Sequence, residues 1–309
     1  MRELFDKVLG AYLGLAIGDA LGATVEFMRP REIVIQYGVH REIIGGGWLK
    51  LARGQVTDDT TMSLALGGAL LQGGTHALGL HARGDDTLVH SIGQAFVQWL
   101  QGKPVDCGNT CRRGILRFLH EGTLAGPYNP GDAGNGALMR NLPVVLATLG
   151  DDAAFARLSI AQAHLTHHHP LSDAATLGIG QLLRLLLLGA DHTECRRWVE
   201  AWTNGNPAFG FTPYRGRATA YVVDTVQTVL NFLTLHEDFE AALVATVNQG
   251  DDADTTGALV GMLAGARCGA SRLPQRWLHR LQPATVQAIT DQTSGLLALA
   301  QTVKEDAHF

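Results

Sequence analysis

Glycine recurs at every fourth position in two apolar segments near opposite ends of the chain. The repeated residues are Gly10, Gly14, Gly18 and Gly22 in the first segment, and Gly257, Gly261, Gly265 and Gly269 in the second. This spacing places all members of one set along one side of an α-helix. A glycine inside a helix costs about 1 kcal/mol relative to alanine, so four in register indicate that another helix approaches closely. We therefore predict two helices whose glycine faces pack on close neighbours, either on each other or on different helices.

The composition is that of a globular protein, with 46% hydrophobic and 17% charged residues in 309 positions. The most apolar runs contain Asp19, Arg184 or Arg267, which favours buried helices over membrane spans and over a membrane dimer formed through glycines. The net charge of −5 gives no basic surface for nucleic acid. The four cysteines form no C-x-x-C pair and the start has no apolar leader, so we predict a reduced, cytoplasmic protein.

Three carboxylates, on Asp251, Asp252 and Asp254, crowd into four positions directly before the second glycine segment. Crowded like charges are costly unless a cation or water compensates them, and the apolar run that follows disfavours full solvation. Oxygen ligands without cysteine or histidine favour Mg²⁺ or Mn²⁺ over Zn²⁺. The spacing of Asp252 and Asp254 suits a turn that enters a helix, where anions also meet the positive end of the helix dipole.

Three other interpretations of these carboxylates remain open from the sequence. Acidic residues and threonine also cap helices that bind no ligand. An EF-hand loop fits in part but has Leu263 where the bidentate glutamate belongs. The D-x-D-x-T string of haloacid-dehalogenase-type phosphatases also fits, although that motif follows an apolar strand and residues 248–250 (NQG) stand there instead.

A second acidic cluster, residues 57–60 (TDDT), lies at the entry of another apolar helical pattern. Two such clusters are less easily explained as chance caps than one, and together they offer enough oxygens for a two-metal centre. If the two glycine faces pack on each other, Asp19 and Glu26 lie near Asp252.

Five motifs in this order resemble those of the ADP-ribosylglycohydrolases and span nearly the whole chain. They are residues 18–22 (GDALG), 57–60 (TDDT), 134–140 (GNGALMR), 165–167 (LTH) and 250–257 (GDDADTTG). The longer string 41–66 is similar to one branch of the family, the dinitrogenase-reductase-activating glycohydrolases of nitrogen-fixing bacteria. One departure is Asp251, where relatives commonly have glycine.

The resemblance implies an all-α fold, a single compact multi-helix domain over residues 1–309, with a cleft that holds two Mn²⁺ or Mg²⁺ ions. It implies these metal ligands: Thr57, Asp58, Asp59, Asp252, Asp254 and Thr255. It also suggests Asp106 or Glu26 as the catalytic carboxylate. The substrate contacts that we expect are Asn109, Gly134, Asn135, Gly136, His167 and Tyr221.

Several of these assignments have structural alternatives. Asp106 equally suits a helix N-cap, and Tyr221 suits a core position. The loop at Gly134, Asn135 and Gly136 lacks side-chain bulk and could bring backbone N–H groups to a diphosphate, although turn-forming glycine is the ordinary explanation. Besides His167, the histidines of residues 164–169 are expected to be exposed, capping or structural.

The resemblance implies hydrolysis of the N-glycosidic bond between ADP-ribose and an arginine of a target protein, here the nitrogenase iron protein. It also implies regulation by a PII nitrogen-signalling protein, with reversible membrane association through that partner. The alternatives are a non-catalytic ADP-ribose-binding or crystallin-like relative and a metal-dependent phosphohydrolase. Residues 28–56 and 203–217 are predicted to be loops, the second long enough for a lid or a docking edge.

Overall fold

A computed structural model describes residues 2–78 and 82–306, and the regular elements of this part are all helical, with two isolated β-bridges and no strand. The α-helices are α1 (Arg2–Gly22), α2 (Pro30–Tyr37), α3 (Asp58–Leu78), α4 (Ala82–Gln101), α5 (Asn109–Glu121), α6 (Leu142–Ala147), α7 (Asp152–His164), α8 (Pro170–Leu187), α9 (His192–Gly205), α10 (Val222–Leu235), α11 (Phe239–Val247), α12 (Ala253–Cys268), α13 (Gln275–Leu278) and α14 (Pro283–Asp306). Short 3₁₀ turns lie at Pro130–Asp132, Pro207–Phe209 and Ala270–Arg272. The prediction of an all-α fold is confirmed.

The centre of the fold is the antiparallel pair α1 and α12, which meet through the two glycine faces. A Cβ on Gly14 would overlap the carbonyl oxygen of Gly261, and one on Gly18 would overlap that of Gly257. The pairing continues from Gly10 against Gly265 to Gly22 against Ala253. The glycine faces therefore pack on each other, which is the first of the two arrangements that we predicted from the sequence.

Both central helices are buried around their whole circumference. Every residue of α1 from Gly10 to Gly22 and every residue of α12 from Ala253 to Ala266 is buried. Helices α3, α8, α10, α11 and α14 pack around this pair. A helix that is apolar on all sides belongs in the interior, and the register of the pair places the end of α1 beside the start of α12.

The prediction of a loop over residues 28–56 was wrong for its first part, because α2 forms there. Pro30 stands in its first turn, a position that needs no N–H donor, and Glu32 accepts a hydrogen bond from the Arg29 N–H at 2.7 Å. Ile33 is the buried residue of α2. A helix of eight residues with one buried side chain leaves little periodicity to detect.

The interval 203–217 is only partly a loop, since α9 continues to Gly205 and the 3₁₀ turn Pro207–Phe209 follows. No helix in the described ranges is both long enough and apolar enough to cross a bilayer.

Substituting Gly261 by alanine should destabilise the protein, because the new methyl group would meet the backbone of α1, which cannot move aside. Overpacking of this kind costs roughly 1–3 kcal/mol, and the gain of helix propensity only partly offsets it. The control is Gly68→Ala in α3, where nothing lies within 4 Å of the added Cβ, so stability should be unchanged or slightly higher. Urea unfolding of both variants tests this, and equal effects would contradict the close helix contact.

Candidate metal centre and active site

The carboxylate of Asp19, fully buried in α1, anchors the start of α3. It accepts hydrogen bonds from the backbone N–H of Thr57 at 2.9 Å and of Thr60 at 3.1 Å, and from the Thr60 hydroxyl at 2.6 Å. Burial raises the pKa of Asp19 to about 6, whereas these hydrogen bonds lower it. Asp19 thereby fixes the position from which Asp58 and Asp59 extend.

The acidic clusters from distant parts of the chain meet at the ends of α1, α3 and α12. The Thr57 hydroxyl lies 3.4 Å from Asp254 Oδ2, although the residues are 197 positions apart. The Thr255 hydroxyl lies 3.1 Å from Asp59 Oδ2. Asp252 is the N-cap residue of α12 and Asp254 lies in its first turn. The predicted approach of the two clusters is confirmed, and α12 follows a turn rather than the strand that a haloacid-dehalogenase site requires.

One group of side chains could hold a cation. Carboxylate oxygens of Glu26, Asp252 and Asp254 all lie within 4.8 Å of one another, and the three residues are buried. Nearby, Asp59 Oδ1 is buried without a hydrogen-bond partner. An unsatisfied buried carboxylate oxygen is costly, and a divalent cation beside it would remove that cost. The donors are oxygens only, which suits a hard cation such as Mg²⁺ or Mn²⁺.

The electrostatics of these carboxyl groups agree with a cation site. Burial, followed by the neighbouring Asp106 carboxylate, raises the pKa of Asp58 to about 7. Burial raises the pKa of Glu26 to about 8, against the lowering effect of a hydrogen bond from Trp48. Burial also raises the pKa values of Asp59 and Asp254 well above the ordinary range. Burial therefore disfavours the charged forms of these carboxyl groups, a cost that a bound cation would offset.

A cavity of about 360 Å³ opens above the acidic cluster. The predicted site residues that line it are Glu26, Asp58, Asp106, Asn109, Gly134, Asn135, Gly136, His167, Asp252, Asp254 and Thr255. Thr57 and Asp59 are buried at the same cluster and do not line the cavity. A larger groove of about 900 Å³, between α9 and α10, is lined by Glu200 as its single carboxylate and by none of the predicted site residues.

Asp106 is not a helix cap, so that alternative interpretation was wrong. The N-cap of α5 is Gly108, and the Asp106 side chain accepts from the N–H of Cys107 at 2.8 Å. The N–H of Gly108 instead donates to Asp58 at 3.3 Å. Asp106 is half-buried at the cavity wall, and burial raises its pKa.

The loop 134–136 contacts the acidic cluster and also lines the cavity. The Asn135 amide donates to Asp252 Oδ2 at 2.5 Å and to the Thr225 hydroxyl at 3.0 Å. A Cβ on Gly136 would overlap the His167 ring and the Cys111 sulfur. Tyr221 forms a backbone bridge with the loop, and its side chain is 44% exposed and does not line the cavity. The absence of side-chain bulk at Gly136 therefore lets His167 face the cavity.

A buried arginine that we did not single out from the sequence orients His167. Arg140 is fully buried and donates to the Gly136 carbonyl at 2.9 Å and to the Thr166 hydroxyl at 2.7 Å. The Thr166 hydroxyl lies 2.8 Å from His167 Nδ1, and its proton has no other acceptor among the described hydrogen bonds. We therefore assign the Nδ1 atom as acceptor, which leaves the N–H on Nε2. The sequence signal was its place at the end of the motif 134–140, within which we gave the arginine no separate role.

His167 is a neutral hydrogen-bond donor to the cavity. Burial and the nearby Arg140 and Arg113 lower its pKa well below the ordinary value. Its Nε2 atom lies beside Gly134, where a Cβ would be 3.2 Å away. The neighbouring histidines have structural roles, as expected: His169 caps α8 by accepting from Leu171 N–H at 3.1 Å.

The described residues form an all-helical fold with a buried oxygen cluster below a polar cavity. Residues 1–306 match the family model described as ADP-ribosylglycohydrolase. The chain belongs to the ADP-ribosylglycohydrolase family.

Individual relatives cover almost the whole chain. It is 52% identical over 298 residues to an ADP-ribosyl-[dinitrogen reductase] glycohydrolase of Rhodospirillum rubrum, covering 96% of this chain and 98% of that protein. It is 31% identical over 296 residues to an ADP-ribosylarginine hydrolase of Pseudomonas putida (strain GB-1), covering 91% and 75%. A solved structure described as an ADP-ribosylglycohydrolase-related protein complex superposes with a TM-score of 0.82 at 32% identity, over 97% of this chain and 100% of that one.

The stability of the metal-free protein should depend on pH through Glu26. The pKa of Glu26 is about 8 in the folded chain against an ordinary value of 4.5, so the folded state keeps a proton that the unfolded state releases between these values. The stabilisation is present at low pH and is lost as pH rises through 8. Wild type should therefore lose thermal stability relative to Glu26→Gln, which cannot ionise at this position, as pH rises across this window in EDTA.

Addition of Mn²⁺ at pH 8 should raise the unfolding temperature of the wild type, because the cation offsets the destabilisation caused by the deprotonated carboxylates. Asp254→Asn is the matched variant and should respond weakly. A wild-type melting temperature that does not change when Mn²⁺ is added would argue against the cation site.

Replacing Thr166 by valine should release His167 from its single tautomer, because Nδ1 loses its donor. The same change removes an acceptor of Arg140, so we expect a loss of roughly 1–3 kcal/mol of stability. Ring ¹⁵N chemical shifts report the tautomer directly. Thr166→Ser keeps the hydroxyl and should retain the wild-type shifts, whereas unchanged shifts in the valine variant would refute the assignment.

Proposed function

We propose that this protein hydrolyses the N-glycosidic bond between ADP-ribose and an arginine side chain of dinitrogenase reductase, the nitrogenase iron protein. The observation that carries the proposal is the meeting of oxygen ligands from both ends of the chain at the floor of one cavity. The extensive match to an ADP-ribosyl-[dinitrogen reductase] glycohydrolase supports the choice of target. A PII partner, and membrane association through it, remain predictions from the family resemblance.

The residues proposed to hold two Mn²⁺ or Mg²⁺ ions are Thr57, Asp58, Asp59, Asp252, Asp254 and Thr255. When bound there, such ions would supply Lewis acidity and would lower the pKa of water beside the substrate ribose. The fit rests on Asp252 and Asp254, whose oxygens lie within 4.8 Å of each other and of Glu26, and on Asp59 Oδ1, which is buried without a partner. The hydroxyls of Thr57 and Thr255 lie at the same carboxylates. Asn135 keeps Asp252 oriented toward this cluster, since its amide donates to one Asp252 oxygen and to the Thr225 hydroxyl.

The diphosphate would bind without the help of a basic side chain. Among the described residues that line the cavity there is no lysine or arginine. The donors that we propose for it are the backbone N–H groups of Gly134 and Gly136, the Nε2–H of His167 and the side chain of Asn109, all of which belong to residues that line the cavity. Because the His167 pKa is strongly lowered, the ring stays neutral and donates a hydrogen bond without adding charge.

Asp106 is the residue proposed to accept the proton of the attacking water. Its carboxylate reaches the cavity and accepts from Cys107 N–H through Oδ1, which leaves Oδ2 available. Glu26 is the second candidate, but it lies inside the oxygen cluster and its Oε2 accepts a hydrogen bond from Trp48 at 2.6 Å. A general base of this kind accelerates hydrolysis by about 10²- to 10⁴-fold.

Asp58→Ala and Asp252→Ala should each abolish release of ADP-ribose from arginine-modified iron protein, because each removes a proposed ligand. The matched control is Asp251→Asn, a neighbouring carboxylate that does not line the cavity, which should remain active. Asp106→Asn should lower kcat by about 10²-fold or more while the thermal shift with Mn²⁺ persists. Undiminished turnover in either ligand variant would defeat the metal proposal.

Substrate choice separates the proposal from the other functions. A non-catalytic relative would bind ADP-ribose without turnover, and a phosphohydrolase would release phosphate from simple esters. Parallel assays on serine-linked and O-acetyl-linked ADP-ribose should show preference for the arginine linkage.

A further inference from the structure

Two aromatic rings at the rim of the cavity have no role in the mechanism described so far. Phe27 is 63% exposed and Trp48 is 51% exposed. Their ring centroids are 5.2 Å apart at an interplanar angle of 54°, and both residues line the cavity. Two large exposed rings side by side at the mouth of a polar cavity indicate a contact surface for a ligand.

Both rings are held in position. The Trp48 indole N–H donates to Glu26 Oε2 at 2.6 Å. Phe27 has a φ of 61°, a left-handed conformation that is strained for a bulky residue, and its N–H donates to the Asp251 carbonyl at 2.6 Å. Gly47, which precedes Trp48, packs against the carbonyl oxygen of Ala23 and also has positive φ. The fold thus keeps two apolar rings exposed to water, and it holds Phe27 in a backbone conformation that is unfavourable for this residue.

Contacts along the cavity define an order of subsites. His167 lies against the loop 134–136, and Asn135 of that loop contacts Asp252. Asp252 lies within the oxygen cluster with Glu26, and Glu26 contacts Trp48. Along this path of contacts the acidic cluster lies between the loop and the rings.

The proposed substrate has its own fixed order of adenosine, diphosphate, ribose and arginine. With the diphosphate on the loop 134–136 and the scissile ribose at the acidic cluster, the next group along the substrate reaches the rings beyond Glu26. That group is the guanidinium of the modified arginine.

The chemistry of the rim suits this cation. A guanidinium is planar and delocalised, and it stacks on aromatic faces while its N–H groups meet carboxylates. The rim supplies the faces of Phe27 and Trp48 next to Glu26, and the described cavity lining offers no competing lysine or arginine. Adenine could also stack on such rings, but the order of subsites places it at the other end.

We infer that Phe27 and Trp48 form the subsite for the arginine guanidinium and thereby determine the preference for arginine-linked ADP-ribose. This inference rests on the proposed function. The rings recognise the leaving group rather than the ADP-ribose that is released.

Steady-state kinetics on an ADP-ribosylarginine peptide, combined with calorimetric binding of free ADP-ribose, test the subsite. Trp48→Leu and Phe27→Leu should each raise KM about tenfold, the loss expected for one cation–π contact. The Kd of free ADP-ribose, which lacks the guanidinium, should remain within about twofold of wild type and shows that each variant is folded.

Trp48→Phe is the matched control, because it keeps an aromatic face but loses the donor to Glu26. Its KM should stay near the wild-type value even if kcat falls, so a KM that rises equally in the Phe and Leu variants would overturn the inference. Equal weakening of ADP-ribose binding would overturn it too, by assigning the rings to adenine. If the wild type bound ADP-ribose but released none from the peptide, the proposed function would fail as well, an outcome distinct from a change confined to the variants.

Discussion

The backbone contact between α1 and α12 is the constraint on which the rest of the molecule depends. With no Cβ atoms at the crossing, the carbonyl groups of each helix lie directly against the glycines of the other. The antiparallel register puts Gly22 against Ala253, so the acidic start of α12 lies beside the last turn of α1. The location of the candidate active site is therefore a consequence of helix packing, which the four-residue glycine spacing makes possible.

This arrangement concentrates negative charge in a buried place. Burial raises the pKa values of Asp19, Asp58 and Glu26 to about 6, 7 and 8. Within the part of the chain that the structure describes, no lysine or arginine lines the cavity to neutralise them. Asp19 is satisfied by hydrogen bonds from the start of α3, whereas Asp59 keeps an oxygen without a partner. The two carboxylates differ in role for that reason: the first organises the backbone, and the second is available to a cation.

Arg140 shows how a charge can act without entering the site. Its guanidinium donates to the carbonyl oxygens of Gly136 and Gln162 and to the Thr166 hydroxyl, and it stacks over the Phe96 ring. Its positive charge contributes to the low pKa of His167. The cavity consequently presents a neutral donor on one side and carboxylates on the other, which is an asymmetry suited to a substrate with an anionic diphosphate and a cationic leaving group.

The sequence by itself determined the glycine faces, the two acidic helix starts and the family motifs, because each is a local pattern of residue types at fixed spacing. It could not choose between glycine faces packing on each other and packing elsewhere, and it missed α2, whose eight residues carry little periodicity. Only the tertiary structure decided that Asn135 holds Asp252, that Arg140 reaches Thr166, and that Trp48 donates to Glu26. These contacts join residues from different elements, and their existence depends on helix register and side-chain direction rather than on any local preference of the chain.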